Sequence, residues 1–300
     1  MADGGLTSDA HTHQHKADFS AVYTEPDPRS LFRMGRRLDY RLPERARPVL
    51  RAVLAQAGAR TSGTPATART SGAPASDGPA RPITALDLCC SYGIITAALA
   101  TGPDGGALAD HYLDPEVAGL GAGELADRDA CSFAGRRPGL RMLGLDVSVP
   151  AVDYALRARL LDDAWTENLE NEPASDELIA GVRDVDAIIS TGGVGYVGVK
   201  TFDQLLSNIA RPEELWLAVF VLRVFDYGEI VDLLSKYGLV TQKLPNRFRQ
   251  RRFDSDDEQR AAVRDVRARG LDPTGMESDG WFYADCFISR PQGAAAIAPS

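Results

Sequence analysis

The sequence predicts an α/β protein whose parallel sheet is covered by helices on both faces. From about residue 83 onward, apolar runs that stop on small or acidic residues alternate with segments of helical periodicity in the order βαβαβα. A composition of 44% hydrophobic and 25% charged residues over 300 positions is enough for a large buried core.

The elements of that pattern follow in chain order. ITALDLCC predicts a buried strand and IITAALA, after Gly93, a helix. GALADHYL and PEVAGL suggest two helical pieces within residues 101–139, and RMLGLDVS a second strand. AVDYALRARLLDDA predicts a helix, with Val152, Ala155, Leu156, Arg159 and Leu160 stepping round one face. VDAIISTGG reads as a strand, TFDQLLSNIA as a helix, ELWLAVFVLRVF as a long strand, and GEIVDLLSKYG as a helix closed by Gly238. GLVTQKL and GWFYADCFISR read as two final strands, with SDDEQRAAVRDVRARG as a helical insert between them.

Outside the main domain, composition sets the expectations. Residues 1–24 are polar and small, too poor in apolar surface to offset their ordering entropy, and are expected to be a disordered tail. His11, His13 and His15 alternate there without acidic or cysteine partners, so no metal site is expected. Residues 25–57 carry Leu50, Val53 and Leu54 at helical spacing with Pro43 and Pro48 as punctuation, which predicts an N-terminal cap of short helices. Residues 58–82 are almost wholly Gly, Ala, Pro, Ser, Thr and Arg, a flexible linker; residues 83–291 form the domain and 292–300 a short tail.

A formal net charge of −9 disfavours nucleic acid as a partner unless the basic residues cluster. The four cysteines, Cys89, Cys90, Cys131 and Cys286, lack CxxC spacing and read as buried thiols, giving neither a disulfide framework nor a zinc site. With no long apolar segment and no apolar leader behind a basic start, no membrane association is expected and the reading is cytoplasmic.

The ligand site of an open parallel sheet lies beyond the carboxyl ends of its strands, where backbone N–H groups are free. At the first such end the chain reads Asp87-Leu88-Cys89-Cys90-Ser91-Tyr92-Gly93, an acid, small residues, then a glycine opening a helix. At the second an apolar strand ends on Asp146, and Pro150 stands near the first turn of the next helix. A carboxylate at that tip can accept hydrogen bonds from both ribose hydroxyls, although a helix cap explains a single Asp equally well.

With both motifs in this order, residues 83–291 resemble the S-adenosylmethionine (SAM) dependent methyltransferases of the seven-stranded, Rossmann-like class. The resemblance implies a mostly parallel seven-stranded sheet with its last strand antiparallel, and SAM as cofactor. It places Asp87, Cys89, Ser91 and Gly93 around the methionine part, Asp146 on the ribose, Val147 beside the adenine and Asn168 at its amino group. Ser190, Thr191 and Gly192, after the fourth strand, would form the floor shared by cofactor and acceptor. Cys89 and Ser91 stand where the class has glycines, which tightens the space near SAM, and no Asn-Pro-Pro-Tyr signature is present.

The implied function is methyl transfer by in-line displacement to a small-molecule acceptor, the acidic chain having no recognisable module for a macromolecule. Tyr196, Arg223 and Asp226, after the fourth and fifth strands, are the catalytic candidates, with His111 as a further base and Arg33, Tyr40 and Arg41 in a possible lid. Alternatives are a non-catalytic SAM or nucleotide binder, or an NAD(P)-dependent oxidoreductase, which would want GxGxxG where this loop reads CCSYGI.

Overall fold

A computed structural model describes residues 20–61, 81–101, 108–133 and 139–298. The histidine-containing tail and most of the expected linker, residues 62–80, lie outside the described residues.

Seven strands form one sheet: β1 Ile83–Leu88, β2 Leu140–Leu145, β3 Asp163–Trp165, β4 Ala187–Thr191, β5 Trp216–Leu222, β6 Leu239–Arg252 and β7 Trp281–Pro291. Their order is β3-β2-β1-β4-β5-β7-β6. The first five strands run parallel, and β7 inserts antiparallel between β5 and β6. This is the seven-stranded, Rossmann-like arrangement with an antiparallel last strand. The chain winds from β1 outward to β2 and β3, then returns to β4 and β5 on the other side of β1. The loops leaving β1 and β4 therefore diverge at the carboxyl edge and open a crevice.

The helices are α1 Ser20–Tyr23, α2 Arg29–Arg37, α3 Leu42–Thr61, α4 Ile94–Ala100, α5 Leu108–Tyr112, α6 Ala122–Phe133, α7 Val149–Arg157, α8 Asp176–Val182, α9 Val199–Asn208, α10 Gly228–Lys236 and α11 Asp256–Ala268. On one face of the sheet Ala85, Met142, Ala218 and Phe220 meet Leu42, Val49, Leu50 and Val53 of α3. On the other, Leu86, Leu143, Ile188 and Leu217 meet Leu178 of α8, Phe202 and Leu205 of α9 and Leu234 of α10. A third cluster joins α2, α5 and α6 to α4 and α7 through Phe32, Tyr112, Leu125, Ala97 and Tyr154.

The leader departs most from expectation. Of the short helices expected over residues 25–57, α2 is one, but residues 42–61 form a single long helix that continues through Pro48. An internal proline costs about 3 kcal/mol, but Leu42, Ala46, Val49, Leu50, Val53, Leu54 and Ala57 are all buried at helical spacing and more than offset it. The helix is a layer of the domain core. It also runs past residue 58, where the linker was expected to begin, and α1 lies inside the stretch read as a tail.

Three local differences have physical causes. The helix expected to reach Ala164 ends at Arg157, because Arg159 adopts φ 52° and the chain turns inward to bury Leu160 and Leu161. The residues after that turn form the edge strand β3, too short to show an alternating pattern. The inserted segment holds a twelve-residue helix, α6, that was not foreseen, and it leaves Cys131 exposed, unlike buried Cys90 and Cys286. Among the described residues no helix is long and apolar enough to cross a membrane, and no group of three or more metal-ligating side chains gathers.

If α3 is a core layer, Leu50→Ala should lower stability by about 2–5 kcal/mol, the usual range for a fully buried leucine. Urea denaturation measures this; a loss below about 1 kcal/mol would make α3 a peripheral cap.

Candidate active site

The loop after β1 has a backbone built for glycine. Cys89, Ser91 and Gly93 have φ of 63°, 51° and 73°, so every second residue is left-handed and the chain turns sharply from β1 into α4. Glycine is required at 93, since a Cβ there would come within 2.8 Å of the Leu160 side chain. At 89 and 91 the same conformation is held by residues with side chains, each at a cost of about 1–2 kcal/mol. The Ser91 hydroxyl is buried without a hydrogen-bond partner. Gly193, in the loop after β4, lets the two loops close up: a Cβ there would meet Cys89 Sγ at 2.8 Å.

Asp146, just past β2, fixes this loop from the side. Its carboxylate accepts the backbone N–H groups of Ser91 and Ser148, each at 2.9 Å. Burial raises its pKa, against the lowering effect of the Ser148 and Ser91 amides. A carboxylate has about four acceptor positions, so capacity remains for a ligand. Ser148 caps α7 and donates its hydroxyl to Tyr23 O at 2.5 Å. Asp87, the last acid of β1, lies below the loop with neither carboxylate oxygen hydrogen-bonded. Burial raises its pKa most, and the nearby Asp146 charge adds to it.

These loops surround a cleft of about 1490 Å³, lined by the 88–91, 145–150, 167–171 and 191–199 segments and by Phe225 and Asp226. The leader closes its far side through Tyr23, Thr24, Leu31, Gly35, Leu38 and Tyr40, and β6 adds Gln250 and Arg251. Tyr92, within the β1 loop, holds the leader there: its hydroxyl lies 2.6 and 2.8 Å from the carbonyl oxygens of Val22 and Glu25. Burial raises the Tyr23 pKa, reinforced by Tyr40 and by the Asp146 charge.

Of the residues singled out from the sequence, the fold brings Cys89, Ser91, Asp146, Val147, Asn168, Thr191, Gly192, Tyr196 and Asp226 to the cleft wall. Val147 is 63% exposed there, and Asn168 accepts the Glu170 N–H at 3.1 Å. Gly93 lies behind the loop as the α4 N-cap. Ser190 is buried, donating its hydroxyl to Leu88 O at 2.8 Å, so it ties β4 to β1. Asp226 accepts the Tyr227 and Gly228 amides and faces Arg269; the Gly228 N–H leads in holding its pKa below the ordinary carboxylate value.

Arg223 does not reach the cleft. It is 3% exposed, pairs with Glu277 at 2.6 Å and donates to Asp272 O, anchoring the segment before β7. His111 is likewise remote, hydrogen-bonded to buried Asp129, which also accepts the Tyr112 and Tyr154 hydroxyls. Of the expected lid residues only Tyr40 lines the cleft; Arg33 bonds to Ser30 and Arg41 pairs with Asp39. The sequence carried no signal for Tyr23, Gln250 or Arg251, because each joins the cleft through contacts remote in the chain.

The wall charge is lopsided. Asp146, Glu167, Glu170, Asp226 and Glu229 line the cleft, against Arg251, which is already neutralised by Glu258. Such a wall favours a cation and opposes phosphate groups.

Two outcomes test the geometry. Ser91→Gly removes a strained conformation and an unpartnered hydroxyl, and should stabilise the protein by about 1 kcal/mol in urea denaturation; destabilisation would mean the loop is not strained. Asp87 has a folded pKa above its unfolded one, so the native state binds the extra proton and stability falls as pH rises between those two values. Asp87→Asn should therefore raise the neutral-pH melting temperature by about 2–4 °C, the shift of about 1 kcal/mol in a domain of this size. The advantage should vanish in acid below the ordinary carboxylate range. An equal effect at both pH values would assign it to something other than this titration.

No family model and no curated protein matches the chain. Among solved structures it is similar to the plantazolicin methyltransferase BpumL in complex with SAH, at 11% identity over 91% of this chain and 97% of that one, TM-score 0.37. A second is precorrin-6y C5,15-methyltransferase from Geobacter metallireducens, at 8% identity over 71% and 81%, TM-score 0.36. A third is a SAM-dependent methyltransferase from Aquifex aeolicus, at 12% identity over 69% and 83%, TM-score 0.33. By its strand order and its antiparallel last strand, the chain has the seven-stranded, Rossmann-like fold.

Proposed function

We propose that the protein binds SAM in this cleft and transfers its methyl group to a small-molecule acceptor. The observation that carries the reading is the left-handed 89–93 loop closed by Asp146 over an orphaned, buried Asp87, inside a wall of carboxylates. SAM supplies, when bound, an activated sulfonium methyl, and it is cationic at both sulfur and ammonium. The donor set suits it: Asp146 keeps acceptor capacity for ribose hydroxyls, Val147 and Asn168 would border the adenine, and Asp87, buried beneath the loop and off the cleft wall, would act on the cation only as a nearby acid. The same wall disfavours NAD(P), whose phosphates would face Asp146, Glu167, Glu170 and Glu229, with Asp226 already paired to Arg269.

A cleft of about 1490 Å³ exceeds the roughly 300–1,000 Å³ of a typical single-ligand pocket. It has room for donor and acceptor together. Holding the two in line supplies most of the rate, since well-oriented pairs reach effective molarities of about 10⁵ M or more. Tyr196, half-exposed after β4, is the candidate to hold or move an acceptor proton. Asp226, kept ionised by backbone amides, suits the fixing of a positively polarised acceptor group better than proton abstraction. Tyr23 and Tyr40 would exclude water from above.

Calorimetric titration with SAM, S-adenosylhomocysteine and NAD⁺ tests the reading. Saturable binding of the first two and none of NAD⁺ is expected, with Asp146→Ala losing about 1.5–3 kcal/mol of that affinity. Because Asp146 also holds the Ser91 and Ser148 amides, the variant should lose stability as well. Absence of SAM binding by the folded wild-type chain would overturn the proposal. Binding without methyl transfer to any small-molecule acceptor tried would leave the chain a SAM binder.

A further inference from the structure

In a chain with formal net charge −9, three arginines without an ion pair stand at the outer edge of the sheet. Arg249 and Arg252 belong to the edge strand β6, and their guanidinium carbons stand 3.9 and 4.3 Å from the centroid of one ring, that of Trp281 at the start of β7. Arg45, exposed on α3, is drawn to the same edge because the leader crosses β6: Arg41 N–H donates to Gln250 O at 3.0 Å and Arg252 N–H to Leu38 O at 2.6 Å. Neighbouring arginines each have their own acid, Arg37 with Asp254, Arg41 with Asp39, Arg247 with Asp285 and Arg251 with Glu258. Among the described residues, Arg45, Arg249 and Arg252 have no ion pair. The pKa of Arg45 is lowered, chiefly by burial and next by the Arg249 charge, against the raising effect of Asp39.

The ring holds two guanidiniums by cation–π attraction, but their mutual repulsion is left uncompensated. Their planar forks remain available for two-pronged hydrogen bonds to an oxyanion. We propose that Arg249 and Arg252, stacked on Trp281, together with Arg45 on the leader that crosses β6, form a binding site for a single carboxylate or phosphate group of a ligand. Two guanidiniums on one ring, with the Arg45 charge acting on Arg249, match one anionic group, whereas the acidic remainder of the surface opposes an extended polyanion. Gln250 and Arg251 line the cleft and stand between Arg249 and Arg252 in the strand, so this site is next to the cleft in the chain and has a charge preference opposite to that of the cleft wall.

The test needs no SAM, so its result is independent of the methyl-transfer reading. The full chain is titrated at low salt with inorganic phosphate and, separately, with succinate, by calorimetry and by the tryptophan fluorescence to which Trp281 contributes. Saturable binding of at least one probe is expected, weakened about tenfold or more in Arg249→Gln/Arg252→Gln and several-fold in Arg45→Gln, and largely lost at about 0.5 M NaCl. Binding of phosphate alone would identify a phosphate-bearing ligand, and binding of succinate alone a carboxylate-bearing one. If the double variant does not fold, Arg45→Gln decides, since that side chain is exposed and without an ion pair. No saturable binding of either probe, or affinity unchanged in the folded variants, overturns the proposal.

Discussion

The carboxylate of Asp146 joins two strand ends that would otherwise be free to separate. By accepting the amides of Ser91 and Ser148 it locks the turn out of β1 to the turn out of β2. The alternate left-handed residues of the 89–93 loop, the start of α4 and the position of Tyr92 all follow from that lock. Tyr92 in turn holds the leader carbonyls, so one acid indirectly determines where Tyr23 closes the cleft. Strain at Cys89 and Ser91 persists because the surrounding hydrogen bonds leave the loop no alternative conformation.

The sheet explains why the acids can be kept in unfavourable places. Every residue of β5 is buried, and α3 on one face and α8, α9 and α10 on the other remove the parallel strands from water. That burial supports local costs at the carboxyl edge: Asp87 without a partner, two side chains in left-handed conformation, and a cluster of carboxylates around one cavity. Such costs collect at sites where function constrains the chain, and of these the carboxylate cluster is the one a cation in the cleft would offset.

Charge is sorted by location. Carboxylates line the cleft, whereas Arg249 and Arg252, which have no ion pair, lie on the edge strand. β6 does both jobs because its pairing with β7 slips in register between Arg249 and Arg251, which interrupts the strict alternation of sides along the strand. Gln250 and Arg251 serve the cleft, while Arg249 and Arg252 stack on Trp281. The leader crossing at Leu38 and Arg41 covers what would otherwise be an open edge there.

By itself the sequence determined the strand–helix alternation, the acids at the tips of β1 and β2, and the loop beginning at Cys89, because each is written in neighbouring residues as an apolar run, a period or a turn. Only the tertiary structure decided which partners those residues meet. It made α3 a core layer despite Pro48, since the stripe that outweighs the proline needs the sheet to bury it. It ended α7 at Arg157 and turned the next residues into β3, whose three residues gain strand character only by pairing with β2. It withdrew Arg223 into a pair with Glu277, 54 positions away in the chain, and brought Tyr23 and Tyr40 over the cleft across a low-complexity stretch with no pattern to announce it. Local periodicity records which face of an element is apolar; contacts between distant segments depend on how all the faces pack at once, and no single stretch of sequence contains that information.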